Sequence, residues 1–171
     1  MAHSIELLFD DHTEAALRAV WEALDTAGVP SQNRVQSTTN RPHVTVVVAG
    51  RINPAVDSEL AELRDHLPLP CTVGAPLIFG RGRFVLAQLI VPSTPLLELQ
   101  RCVHRICLPH MAAGVSHTEP EHWTPHVTLG RRLSAEQVGL ALAHVPGDLP
   151  ATFTGLRRWD GDARVDHSLV S

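Results

Sequence analysis

The 171-residue chain contains no lysine and no tyrosine, and all of its 14 basic residues are arginine. Its formal net charge is -4, so the composition offers no basic excess that could hold the backbone of a long nucleic acid. Aromatic residues make up only 4% of the chain, which leaves few side chains on which bases could stack. Any nucleic-acid ligand is therefore expected to be short or held at one local site.

Paired cysteines and long apolar runs are also missing. The three cysteines are odd in number and form no CxxC motif, so no disulfide framework is expected. No stretch approaches the roughly 18 to 20 apolar residues that a membrane-spanning helix needs. Residues 1–10 have neither the basic start nor the apolar centre of a signal peptide. We therefore expect a cytoplasmic protein.

Common catalytic signatures are absent as well. A phosphate-binding P-loop requires a lysine, so Gly80-Arg81-Gly82 is interpreted as a turn. The GxSxG motif of serine hydrolases and the HExxH motif of zinc enzymes do not occur. The chemistry must therefore come from another pattern.

The arrangement of predicted strands and helices repeats once along the chain. Hydrophobic residues make up 44% of the sequence, which is enough for one folded domain of this length. Residues 1–80 and 83–171 form two halves of similar order: strand, helix, loop, strand, helix, strand. In the first half these elements fall at residues 3–9, 14–27, 43–49, 54–66 and 71–79. In the second half they fall at 84–91, 95–111, 126–130, 135–144 and 151–159, with a last strand at 164–170.

This repetition predicts an α+β fold with two pseudo-symmetric lobes. Each lobe is expected to have a small, mainly antiparallel sheet with flanking helices, because several strands alternate polar with apolar residues and short turns join the late strands. A central groove would lie between the lobes. The duplicated halves already supply a two-sided site within one chain, so we expect a monomer.

The same four residues, Pro-His-Val-Thr, begin a predicted strand in each half. In the first copy, Pro42 suits the strand entry because proline has no N–H to donate to the sheet. Side chains alternate along a strand, so His43 and Thr45 share one face while Val44 faces the other. A polar pair therefore points away from the packed side of the strand.

The second copy has the same pattern, with His126 and Thr128 on one face of its strand. If an approximate two-fold axis relates the lobes, the two polar pairs meet across the groove. One imidazole could then accept a proton from a nucleophile while the other donates one to a leaving oxygen. The two hydroxyls could donate hydrogen bonds to a phosphoryl group.

Paired His-x-Thr motifs in a duplicated chain of this length resemble those of the 2H phosphoesterase superfamily, in its 2'-5' RNA ligase-like branch. The resemblance covers nearly the whole chain. It implies a bilobal fold and chemistry without metal or other cofactor on 2',3'-cyclic phosphates or 2'-5' phosphodiester links, with His43 and His126 as acid and base. The ligand would be a small nucleotide or an RNA terminus.

Further candidates flank the two motifs. The family's extended motif has a following arginine, which here is Arg131; simple alternation would point it away from His126, so its participation needs a bulge near Gly130. Arg41 is a second candidate for binding phosphate. Trp123 and Phe84 are candidates for stacking a base, with packing in the core as their alternative role.

Two other interpretations of these residues remain open. The groove could belong to a noncatalytic module that binds a nucleotide or an RNA end. Imidazoles and carboxylates could also form a metal site, although Pro125 disfavours the helix that would align two of the histidines. The residues of that alternative site are His117, His122 and His126 with Glu119 or Glu121.

Overall fold

In a computed structural model that describes residues 1–171, eight strands form one antiparallel sheet with four α-helices packed against it. The strands are β1 (His3–Phe9), β2 (His43–Ile52), β3 (Leu69–Arg81), β4 (Arg83–Ile90), β5 (Met111–Gly114), β6 (His126–Leu133), β7 (Leu149–Asp160) and β8 (Val165–Val170). The helices are α1 (Asp11–Thr26), α2 (Asp57–Ala61), α3 (Thr94–Cys107) and α4 (Ala135–Leu142). The predicted α+β class with antiparallel strands is confirmed.

Six of the strands pair in a closed path. The order along the sheet is β1-β2-β6-β4-β3-β7, and β7 also pairs with β1. The path consists of two equivalent sets, β7-β1-β2 and β3-β4-β6. Each set takes two strands from one half of the sequence and the third from the other half. The halves are therefore interlocked through the sheet, and neither can form its own set of strands alone.

Local sequence determines where the helices begin. Helix α1 begins after Asp10, whose carboxylate accepts a hydrogen bond from the backbone N–H of Thr13 at 2.8 Å. Helix α4 begins after Ser134, which forms a reciprocal capping box with Gln137. No helix is both long enough and apolar enough to cross a membrane.

The buried side chains form two hydrophobic clusters. The larger contains 23 buried residues, among them Val44 and Val127 of the two motif strands. The smaller contains 8 buried residues, including Trp21 on α1 and Leu129 on β6. Because Leu17 of α1 belongs to the larger cluster, this helix packs against both.

The strand β2 continues past the point at which the sequence predicts its end. The sequence predicts a strand that ends at residue 49, but β2 runs on to Ile52 because the short strand β5 pairs with it. The same pairing explains why the helix predicted at residues 95–111 ends at Cys107: Met111 already belongs to β5. The predicted helix at residues 54–66 is present as α2 with a 3₁₀ turn on each side.

A close backbone approach at Gly130 gives a test of the fold. A Cβ atom at this position would lie 2.5 Å from the carbonyl oxygen of Pro30, so Gly130→Ala should lower the free energy of unfolding by about 1–3 kcal/mol. The matched control is Gly139→Ala, on the exposed face of α4 with no atom within 4 Å, which should raise stability by about 0.5–1 kcal/mol. Denaturant unfolding measures both, and equal stability of the two variants would contradict the close approach of Gly130 to Pro30.

Candidate active site

The two Pro-His-Val-Thr strands lie side by side and meet at one residue pair, Val44 with Val127. The pairing is antiparallel, so continuing the register by one residue in each direction places His43 opposite Thr128 and Thr45 opposite His126. Residues directly opposite each other in an antiparallel pair project from the same face. Because both valines are buried in the core, the four polar side chains share the other face.

Strand β2 has a bulge immediately after its threonine. Thr45 pairs with Glu6 of β1, but the next pair joins Val47 to Ile5, so Val46 is an extra residue without a partner. This extra residue reverses the alternation of side chains beyond it. Consequently Val48, and not Val47, lines the cavity beside Thr45.

Strand β6 has the equivalent bulge. Thr128 pairs with Ala87 of β4, whereas Gly130 pairs with Leu86, so Leu129 is the extra residue. The reversed alternation brings Arg131 to the cavity that His126 lines. Arg131 can face the same side as His126 only if the strand has a bulge near Gly130, and β6 has this bulge.

Two tryptophan indoles hold the motif strands where their pairing ends. The indole N–H of Trp123 donates to the backbone oxygen of Thr45 at 2.9 Å, and that of Trp21 donates to the backbone oxygen of Thr128 at 3.1 Å. Each carbonyl thus finds a partner although the strands separate beyond the valine pair. The side chains of both threonines lie on the groove face of the motif strands.

Both motif histidines have the same backbone contact. Nδ1 of His43 lies 2.7 Å from the carbonyl oxygen of Arg41, and Nδ1 of His126 lies 2.7 Å from that of Thr124. A carbonyl oxygen only accepts hydrogen bonds, so each Nδ1 carries the proton that it donates. The Nε2 atoms are therefore the positions at which a proton can be accepted or released.

A cavity of about 680 Å³ opens beside the motif strands. Its lining contains Thr45, Thr128, His126 and Arg131 together with further histidines, and it contains no carboxylate. His43 lies on the same face next to Thr128 but is outside this lining. In a chain with a net charge of -4, a cavity without acidic groups favours an anionic ligand.

The surroundings of His126 favour its neutral form. Burial is the largest cause that lowers its pKa, and the positive charges of Arg131, His117 and His43 lower it further. The hydrogen bond to the Thr124 carbonyl opposes this shift without cancelling it. A neutral imidazole with its Nε2 free can accept a proton.

A buried carboxylate lies next to His43. Glu6 is only 5% exposed, and its carboxylate is 3.7 Å from Nε2 of His43. Burial alone would raise the pKa of Glu6, but the charges of His43 and Arg157 and a hydrogen bond from Ser4 lower it overall. Glu6 is thus ionised, with the Arg157 guanidinium 2.8 Å from one carboxylate oxygen.

The structure separates the remaining predicted residues. Trp123 lines the cavity, whereas Phe84 packs against the smaller hydrophobic cluster. The side chain of Arg41 forms an ion pair with Glu14 of α1 and does not line this cavity. Stacking by Phe84 and phosphate binding by Arg41 remain predictions, which these contacts do not support.

Two residues of the site, Phe79 in the cavity lining and Glu6 beside His43, are not among the candidates that the sequence provides. Phe79 packs on His126, with ring centroids 4.7 Å apart and an interplanar angle of 49°. No local pattern marks Phe79, because its contact depends on how β3 pairs with β4. Glu6 did carry a signal, since it is the only acidic residue in the strand HSIELLF.

The residues of the alternative metal site do not bring three donor atoms close enough together to hold a metal ion. One group of three potential ligands has its donor atoms within 4.8 Å of one another, and it consists of His3, Asp160 and Asp162. The loop histidines His117 and His122 line the cavity, but they form no such group with His126.

Comparisons with known proteins agree with this architecture. A family model described as the 2'-5' RNA ligase superfamily matches residues 9–162. The structure of Usb1 from Kluyveromyces marxianus is similar with a TM-score of 0.55 and 12% identity, covering 99% of this chain and 98% of that chain. It has also been solved with uridine monophosphate, and this second structure matches with 13% identity and a TM-score of 0.55, covering 99% of this chain and 97% of that one.

LigT from E. coli, solved in complex with 3'-AMP, has a TM-score of 0.55 and 13% identity, covering 97% of this chain and 91% of that chain. At these identities the structural likeness establishes the fold. No curated protein matches the chain.

The electrostatics of His126 give a test of the site. Replacing Arg131 by glutamine removes a positive charge that lowers the pKa of His126, so this pKa should rise in Arg131→Gln. NMR titration of the histidine ring signals measures the change. Arg132→Gln is the matched control, because this exposed neighbour does not contribute to the shift and should leave the titration unaltered. An unchanged His126 titration in Arg131→Gln would contradict the placement of Arg131.

Proposed function

The chain belongs to the 2'-5' RNA ligase superfamily, and we propose that it is a 2H phosphoesterase that hydrolyses 2',3'-cyclic phosphates or related 2'-5' phosphodiesters. The observation that carries the proposal is the register of β2 and β6. Their single pair of valines places two histidines and two threonines on one face beside a cavity. This is the set of groups that phosphoryl transfer by acid–base catalysis requires.

In the proposed reaction one histidine accepts a proton from water through Nε2 while the water oxygen attacks phosphorus. A new P–O bond forms, and the bond from phosphorus to one ribose oxygen breaks. The second histidine donates its Nε2 proton to that oxygen as it leaves. The product is a phosphomonoester, and proton exchange with solvent restores both imidazoles.

The threonine hydroxyls and Arg131 have a separate role in this scheme. A hydroxyl can donate a hydrogen bond to a non-bridging phosphoryl oxygen, and a guanidinium can neutralise its charge. Thr45, Thr128 and Arg131 all line the cavity. The proposed steps use these side chains and require no metal or other cofactor.

The cavity supports a small substrate. A volume of about 680 Å³ is in the range of pockets that hold small molecules. Among the similar structures, Usb1 was solved with uridine monophosphate and LigT with 3'-AMP. We therefore propose a nucleotide or an RNA terminus as the substrate class, acted on by a monomer in the cytoplasm.

The first test is turnover of 2',3'-cyclic nucleotides in excess chelator. Replacing either catalytic histidine by alanine should lower kcat by about 10²- to 10⁴-fold, because each removes one proton transfer. His167→Ala on β8 serves as the control, since this exposed histidine does not line the cavity and should keep full activity.

The outcomes separate the competing functions. Loss of activity in both His43→Ala and His126→Ala, with folding intact, supports the two-histidine reaction. A folded parent that binds cyclic nucleotides without turning them over would instead support the noncatalytic binding module. Activity that chelator abolishes would contradict the proposed metal-free steps.

The threonines give a second test. Thr45→Val and Thr128→Val keep the shape of the side chain but remove its hydroxyl, so kcat should fall by about 10²-fold for each. Steady-state kinetics with a 2',3'-cyclic nucleotide measures this effect. Thr72→Val on β3, outside the cavity, is the matched control. Unchanged kcat in both motif variants would exclude the hydroxyls as phosphoryl donors.

A further inference from the structure

The two motif histidines have equivalent backbone positions. His43 is paired with Leu8 on β1, and His126 is paired with Leu89 on β4. Each Nδ1 donates to a carbonyl oxygen two residues earlier in the chain. Any difference between the two imidazoles in their affinity for a second proton must therefore come from the neighbouring side chains.

The first difference lies on the strands next to the motifs. Thr45 is paired with Glu6, whereas the equivalent Thr128 is paired with Ala87. The pseudo-symmetry thus places a carboxylate beside one histidine and a methyl group beside the other. Only His43 has an anionic neighbour within ion-pair distance, at 3.7 Å from its Nε2.

The second difference follows from the paired bulges. The bulge in β2 turns Val48 into the cavity, and the bulge in β6 turns Arg131 into it. A positive charge therefore lies near His126, and an apolar side chain occupies the equivalent place near His43. Both differences act in the same direction, since an anion favours a protonated ring and a cation disfavours one.

From these two asymmetries we infer that Glu6 is a positioning residue that keeps the transferable proton on His43, so that His43 is the general acid and His126 the general base. The assignment rests on the proposed function. Nδ1 of His43 donates to the carbonyl oxygen of Arg41, and the carboxylate of Glu6 lies 3.7 Å from Nε2, so a proton on Nε2 would lie beside a negative charge.

The charge on Glu6 is itself held in place by the structure. Arg157 on β7 donates through Nε to one oxygen of Glu6 at 2.8 Å, and the hydroxyl of Ser4 donates to the other at 2.6 Å. Arg157 also donates to the exposed Asp166 on β8 at 2.9 Å. Because Glu6 is buried with these donors, its carboxylate stays ionised and directed at His43.

The other charged groups near the two rings agree with the assignment. His43 is faced by Glu6 from β1 and by His126 across the groove, with Arg157 behind Glu6. His126 is faced only by cationic or potentially cationic groups, which are Arg131, His117 and His43. Its lowered pKa is consistent with the role of base.

In the reaction this means that Nε2 of His126 accepts the proton of the attacking water as the P–O bond forms. Nε2 of His43 then donates its proton to the ribose oxygen as the second P–O bond breaks. The carboxylate of Glu6 does not touch the substrate in this scheme. It acts through His43, by stabilising the charged ring until the leaving oxygen takes the proton.

NMR of the ring nitrogens in the parent protein tests the inference without requiring turnover. The expected result is that, as pH rises, His126 becomes singly protonated before His43 does. In its neutral form each ring should keep the proton on Nδ1. The reverse order, or identical titration of the two rings, would overturn the assignment even if the protein proved to be an active phosphoesterase.

The variant Glu6→Gln tests the positioning role in turnover of a 2',3'-cyclic nucleotide. A general acid must be protonated, so activity falls as pH rises through its titration. Removing the carboxylate should move this alkaline limb to lower pH, because the protonated ring loses its anionic neighbour. We also expect kcat to fall at least roughly tenfold at neutral pH, with KM little changed, because the substrate does not contact Glu6.

Asp166→Asn is the matched control. It removes the other carboxylate partner of Arg157 but leaves the charge beside His43 in place. A purely structural role for Glu6 predicts the same modest loss in both variants with no movement of the alkaline limb, and this result would overturn the inference. If Glu6→Gln does not fold, the titration order in the parent protein decides the question. Absence of turnover by the parent would refute the proposed function while leaving that titration as the test of Glu6.

Discussion

The pairing of Val44 with Val127 is the contact on which the functional face depends. It joins two equivalent sets of strands at a single antiparallel residue pair, and both valines are buried in the larger hydrophobic cluster. Because side chains alternate along a strand, burial of the valines directs the flanking histidines and threonines toward the groove. A shift of one residue in either strand would place these polar groups in the core, so the cost of burying them maintains the register.

Local irregularities around this pair complete the site. A regular strand would have turned Val47 and Gly130 toward the groove, but the bulges at Val46 and Leu129 substitute the next residue in each case. Both bulged residues are fully buried, so hydrophobic packing holds the irregular geometry. The tryptophan indoles satisfy carbonyl oxygens that the separated strands leave unpaired. Packing and hydrogen bonding thus position the groove without contributing to its chemistry.

A symmetric scaffold needs an asymmetric charge distribution to perform acid–base chemistry, because two identical histidines would compete for the same proton. Here the backbone supplies the symmetry, and side chains outside the motifs break it. Glu6 lies on one side and Arg131 on the other. Substitutions at such neighbouring positions can therefore alter proton affinity while the motif itself stays unchanged.

The sequence alone determined the order of the elements, the antiparallel α+β class and the two motifs with His43 and His126, because these depend on local periodicity and on residues near one another in the chain. It could name Arg131 as a candidate but not orient it, since a bulge arises from pairing with another strand. The proximity of Glu6 to His43 and the diversion of Arg41 to an ion pair on α1 were decided only by the tertiary structure. The physical reason is that electrostatic contacts depend on distances in space, and strand register brings together residues whose separation along the chain carries no such information.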